Sequence, residues 1–160
     1  MADPTSSVDR VRAALLRAGH ADTIAEFPDG TRTAADAAAA VGCTVAQIAK
    51  SIVLRAGDQV VLVIASGVNR VDVAKVSAII GVNVAAANGR WVRDMTGFAI
   101  GGVAPVGHLA KPHVLIDQDL MALDPVWAAA GSPKHAFRST AAELARMTGG
   151  QVADVKEAAS

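Results

Sequence analysis

The sequence predicts an α+β domain built around a mixed β-sheet, on three observations. Short β-type and helical segments follow one another without the regular strand–helix–strand alternation of a parallel α/β fold. Val60 to Ile64 is β-branched throughout except for Leu62, the composition of a strand covered on both faces. The 160 residues are 52% hydrophobic, with no internal repeat and no linker, which suits one domain spanning residues 1–160.

Each element has its own signal. Ser6 to Gly19 has Val8, Val11, Leu15 and Ala18 at helical spacing with Gly19 as a stop. Thr23 to Phe27 is a short strand ended by Pro28-Asp29-Gly30. Thr33 to Val41 is a helix, entered through a capping-box pattern of Thr33 and Asp36 and closed by Gly42. Thr44 caps a further helical turn, Val45 to Ile48, that delivers the chain to Lys50. Ser51 to Arg55 and Gln59 to Ser66 form a hairpin across Gly57-Asp58. Asp72 to Ile80 is helical and stopped by Gly81; Val82 to Ala86 is a short strand and Trp91 to Met95 a short helix. Thr96 to Gly107, with four glycines and Pro105, is expected to be irregular and the most exposed stretch of backbone. His113 to Asp117 and Val126 to Ala130 are strands, and Phe137 to Thr140 leads into a last helix, Ala141 to Met147, stopped by Gly149-Gly150. The core is expected over about residues 20–155, with a frayed tail at 156–160.

Composition narrows the function. Fifteen basic and fifteen acidic residues cancel, which argues against a protein that coats nucleic acid through phosphate neutralisation. Five aromatic residues are too few for an interleaved base-stacking platform. The charge is unevenly spread: residues 45–111 carry a net +4 between flanks of −2 each. Cys43, the lone cysteine, makes neither an internal disulfide nor a metal site. Neither a signal-type apolar segment nor a run of about 18 apolar residues is present, so a cytoplasmic protein without a membrane partner is expected.

Three constellations carry candidate chemistry. Lys50 stands at the start of an apolar strand, where it either protects a sheet edge or binds a phosphate or polarises a carbonyl. The loop from Gly97 to Gly107 exposes N–H donors that can cradle an anion, yet it lacks both the Walker and the dinucleotide spacing and on its own is a bent connection. Gly131-Ser132-Pro133-Lys134-His135 sets a hydroxyl, an imidazole and an ammonium in one turn, without the elbow motif of a serine hydrolase. His108, His113 and His135 lack metal-ligand spacing, so no metal and no cofactor are expected.

Taken together and in order, these segments resemble the YbaK / prolyl-tRNA-synthetase-associated domain family, whose members hydrolyse misacylated aminoacyl-tRNA. The resemblance rests on Thr33-Ala34-Ala35-Asp36-Ala37-Ala38, on Gln47 to Leu54 around Lys50, and on Thr96 to Gly107. Asp117-Gln118-Asp119-Leu120, Ala130-Gly131-Ser132-Pro133, the closing helix and Gly149 complete it. It implies a mixed sheet curled into a partial barrel with surrounding helices. It places the family's lysine on Lys50, its GxxxP loop on Gly101 to Pro105 and its second glycine turn on Gly131 to Pro133. The implied catalytic set is Lys50, Gly101, Gly131, Ser132 and His135. The implied substrate contacts are Ser51, Phe98, Gly102, Val103, Ala104, Pro105 and Pro133.

The implied activity is trans-editing: hydrolysis of the ester of a small wrong amino acid on tRNA, foremost tRNA(Pro), with water or a substrate group as nucleophile. The partner is then the acceptor 3′ end of an aminoacyl-tRNA, with an aminoacyl-tRNA synthetase as a second candidate. A chain of this length suits a free-standing form. Two other readings stay open on the residues, a non-catalytic binding module of the same fold and an ester hydrolase of small molecules. Oligomeric state and the preferred amino acid are not encoded legibly.

Overall fold

The computed structural model describes residues 6–158, and the element boundaries follow local chemistry closely. Helix α1 (Ser7–Arg17) starts where the Ser6 hydroxyl accepts the Asp9 N–H. Strand β1 (Ile24–Glu26) precedes α2 (Ala34–Val41), whose first turn is capped by Thr33 through the Asp36 N–H and whose end is closed by left-handed Gly42. The Asp36 carboxylate reaches back to the Arg32 N–H rather than to Thr33, so the expected box is displaced by one residue. A 3-10 turn, Val45–Gln47, feeds β2 (Ile48–Ala56), which folds back on β3 (Gln59–Ser66) across the two-residue turn. Lys50 is thus the third residue of its strand, not the residue before it.

Asp72 caps α3 (Val73–Ile80), followed by a two-residue β4 (Ala85–Ala86) and by α4 (Gly89–Thr96). After the glycine loop come β5 (His113–Asp117), a 3-10 turn (Gln118–Ala122), β6 (Val126–Ser132), β7 (His135–Ser139), α5 (Ala141–Thr148) and β8 (Gln151–Ala153). The strands form one mixed sheet in the order β1-β7-β6-β2-β3-β5-β8, with β4 pairing on β2. Its end strands, β1 and β8, do not pair, so the sheet is not closed. β3 sits at its centre with Val61 to Ala65 at 0% exposure, as its unbroken apolar run requires.

Each face carries its own core. Leu62, Ile64, Phe98, Val103, Ile116, Phe137 and Leu144 pack on one side with Val11 and Leu15 of α1. Val61, Val63, Leu115, Val76 and Val155 pack on the other.

Three expectations are corrected. Thr96 to Gly107 is not an exposed ribbon: Thr96, Phe98, Gly102, Val103, Ala104 and Pro105 are buried, because the apolar residues between the glycines turn into the core. Residues 135–139 are a full strand where only a lead-in at 137 was expected; its pairing on β6 shifts register between Ala129 and Ser132, which hides the alternation. The beginning of the tail does not fray. Val155 is fully buried, Lys156 bridges Val71, and the Glu157 N–H donates to the Arg70 carbonyl. Residues 159 and 160 of the expected frayed end, and residues 1–5, lie outside the described residues.

Candidate active site

The site begins with a gap in the sheet. On the edge away from β3, β2 pairs with β6 only at Ile48 and Ala49 and with β4 only at Leu54 and Arg55. The Gly67 N–H donates to the Ile48 carbonyl, so even-numbered residues of β2 exchange hydrogen bonds with β3 and Ser51 aims its own N–H and C=O at the gap. The Ser51 hydroxyl is also buried, without a hydrogen-bond partner among the described residues. A buried donor-acceptor with nothing to bind costs free energy, and such groups concentrate where a ligand completes them.

A cleft of about 300 Å³ opens over this gap. It is walled by β2 from Ile48 to Ile52, by Thr31 to Ala34 at the entry of α2, by Ile100, Gly101 and Val103 of the glycine loop, and by Ala128, Ala129, Ser132, His135 and Ala136 from β6 and β7. The volume accommodates a small amino acid on a sugar and little more. None of the residues lining it is acidic, while Arg32, Lys50 and His135 all are basic.

Lys50 is the electrostatic centre. Among the described residues its ammonium has neither an ion pair nor a hydrogen bond. Burial holds its pKa below the usual lysine value, the nearby Arg70 charge pushes the same way, and Asp117 opposes them. A partly desolvated ammonium without a counter-ion is a prepared receptor for an anion.

Opposite stands the turn 131–135. Ser132 Oγ lies 2.7 Å from His135 Nδ1 and accepts the Lys134 N–H at 2.9 Å. His135 Nε2 lies 3.4 Å from the Glu26 carboxylate on the neighbouring strand. With a proton on Nε2 facing that carboxylate, Nδ1 is the atom that accepts the Ser132 hydroxyl proton. Glycines set the spacing of the two loops. A Cβ on Gly102 would stand 2.8 Å from Ser132 Cα, so the glycine loop and the serine turn touch backbone to backbone. Gly101 has φ +92° and open space around it, so there the requirement is the left-handed backbone.

The structure therefore brings together Lys50, Ser51, Gly101, Val103, Ser132 and His135 of the residues expected from sequence. Phe98, Gly102, Ala104, Gly131 and Pro133 stand behind that wall, and Pro105 lines a different hollow of about 330 Å³ beside α1. That second hollow is of similar size but gathers none of the expected catalytic set. Sequence reasoning missed Arg32, Arg70, Glu26 and the exposed Ile100 at the cleft mouth; only the basic bias of residues 45–111 hinted at Arg70.

Among the described residues no group of three or more His, Cys, Asp or Glu is placed to hold a metal ion, and no helix is long and apolar enough to cross a membrane.

Comparison with known proteins bears on the same cleft. The family model of the aminoacyl-tRNA editing domain matches residues 28–147, which include every segment that walls the cleft. Uncharacterized protein YwhH of Bacillus subtilis (strain 168) is 32% identical over 143 residues, covering 89% of this chain and 91% of that protein. A crystal structure described as a candidate trans-editing enzyme for prolyl tRNA synthetase superposes with a TM-score of 0.91 at 44% identity, covering 96% of this chain and 99% of that one. The hypothetical protein APE2540 superposes with a TM-score of 0.86 at 27% identity, over 92% of this chain and 99% of the other. By the match of that family model over most of its length, this chain belongs to the aminoacyl-tRNA editing domain family.

Proposed function

We propose that the chain is a trans-acting deacylase that hydrolyses the ester of a small, wrongly attached amino acid on tRNA, with tRNA(Pro) as the foremost substrate. The observation that carries this reading is the cleft's charge: a half-buried ammonium with no ion pair among the described residues, in a pocket without a carboxylate, beside two close-packed glycine turns. Such a pocket suits an ester joined to a phosphorylated sugar. The likeness to a candidate trans-editing enzyme, over 99% of that chain, favours action in trans and the proline system.

The steps follow from the residues. Lys50 holds the phosphate of the terminal nucleotide and so fixes the acyl group against β2. Water attacks the ester carbonyl carbon, and negative charge gathers on the carbonyl oxygen. Backbone N–H groups at the gap, with that of Ser51 foremost, and at Gly101 stabilise it without reorganising. The C–O bond to the sugar then breaks; the ribose oxygen leaves with a proton, and the free amino acid departs. The Ser132–His135 couple, with Glu26 behind it, accepts the proton of the attacking water and returns one to the ribose oxygen.

Val103, Ala128 and Gly101 bound the acyl pocket, so selection is by size, worth about 1–3 kcal/mol per methylene. The unpartnered Ser51 hydroxyl adds a preference for an acyl side chain that hydrogen-bonds. The test is hydrolysis of alanyl-, seryl- and cysteinyl-tRNA(Pro) by the purified protein at several salt concentrations. Release of the small amino acids, weakening as salt rises, is expected. Protection of all three esters would make the protein a binder, and salt-independent cleavage of free amino-acid esters would remove tRNA from the account.

A further inference from the structure

Helix α1 precedes the residues matched by the family model and lines no part of the cleft, yet it touches both glycine turns that build it. Arg10 donates from Nη2 to the Gly97 carbonyl at 2.6 Å and from Nε to the Gly107 carbonyl at 3.2 Å, so one guanidinium joins the two ends of the glycine loop. Its carbon lies 5.1 Å from the centre of the Phe98 ring, within cation–π range. His108 meets the same ring edge-on at 5.1 Å and lies 2.6 Å, through Nε2, from the Ala104 carbonyl. One turn earlier, the backbone of Ser7 and Val8 packs so closely on Gly131 that a Cβ there would stand 2.7 Å from the Ser7 carbonyl. Val11 and Leu15 anchor the helix in the same core as Phe98, Val103 and Ala130.

From this geometry we propose that Arg10 is a positioning residue of the editing site. Through the carbonyls of Gly97 and Gly107 it holds the Gly101–Val103 wall at a fixed distance from Ser132, and so sets the width of the acyl pocket. The proposal rests on the deacylase reading but has its own observable. A planar fork reaches two carbonyls at once, and a lysine ammonium on a flexible stem does not hold both in this geometry. Loss of the clamp lets the loop move away from Ser132, and displacement of about 1 Å in such a wall costs up to about 100-fold in rate.

The test compares wild type with Arg10→Ala and Arg10→Lys in two assays. In hydrogen exchange, amides of residues 98–104 are expected to exchange faster in both variants, with the β2–β3 hairpin unchanged. In deacylation of alanyl-tRNA(Pro), kcat is expected to fall at least about tenfold with a smaller change in KM, and discrimination against a larger acyl group should narrow. Methylguanidinium in millimolar amounts is expected to restore part of the rate to Arg10→Ala and none to Arg10→Lys. Exchange at 98–104 equal to wild type, with kcat within about twofold, overturns the proposal. If Arg10→Ala does not fold, Arg10→Lys alone decides by the same two criteria. If the wild type deacylates nothing, the deacylase reading fails while the exchange comparison still judges the clamp.

Discussion

Two lysines of the domain have opposite surroundings. Lys156, in the C-terminal segment, lies 2.8 Å from the Asp119 carboxylate, and that hydrogen bond and charge hold its pKa above the ordinary value. Asp119 in turn accepts from Asn69, and Asn69 also donates to the buried Asp117. Lys50, in the cleft, has no such partner; burial and Arg70 push its pKa down. The C-terminal region is a closed polar network, whereas the cleft is left electrostatically incomplete. Groups whose partners are all supplied by the chain hold the fold, and a group whose partner is withheld waits for a ligand.

The comparison predicts graded consequences. Asp117 links the regions: it is fully buried and accepts from the Ser66 N–H, the Asn69 amide and the Asp119 N–H. Asp117→Ala strands these donors and should cost about 3 kcal/mol in denaturant unfolding, the largest stability effect expected. It also removes a negative charge that supports the Lys50 proton.

Lys50→Met should lose no stability at neutral pH. The sign follows from linkage: a lysine whose folded pKa is depressed binds fewer protons folded than unfolded across the window between the two values. Its cost is full below the depressed value and fades as pH rises towards the ordinary one, so removing the charge relieves a cost. A fall in Tm at pH 7 would show that Lys50 has a structural partner.

Arg70→Gln removes the neighbouring positive charge that, after burial, lowers the Lys50 pKa. Deacylation that needs the ammonium declines as pH rises through that pKa, so the alkaline limb of kcat/KM should move to higher pH, and a shift to lower pH would reverse the assignment. Lys156→Met is expected to do least. Its ion pair with Asp119 is surface-exposed and screened, so Tm should fall slightly and by less at high salt, with deacylation unchanged.

The sequence made legible what rests on local chemistry. Thr33 with Asp36, the Gly57-Asp58 turn and the glycines closing the helices are signals within a few residues, and each marks an element found. β8 was missed because its three residues become a strand only by lying parallel to β5, some 35 residues earlier in sequence, which no local pattern encodes. The glycine loop was placed correctly but given the wrong exposure. Its glycines read as open backbone, whereas Phe98, Val103 and Ala104 decide its burial. Lys50, Ser51, Gly101, Ser132 and His135 were nameable from motif order, and all five line the cleft. Arg10 was not, since its contacts with Gly97 and Gly107 span 87 and 97 residues.

The most direct measurement sets the two lysines against each other in one assay: deacylation of alanyl-tRNA(Pro) by wild type, Lys50→Met and Lys156→Met, each with its Tm. The account predicts a loss of about 100-fold or more for Lys50→Met with Tm unchanged or raised, and wild-type rate for Lys156→Met with Tm slightly lowered. Equal rates for wild type and Lys50→Met would contradict it.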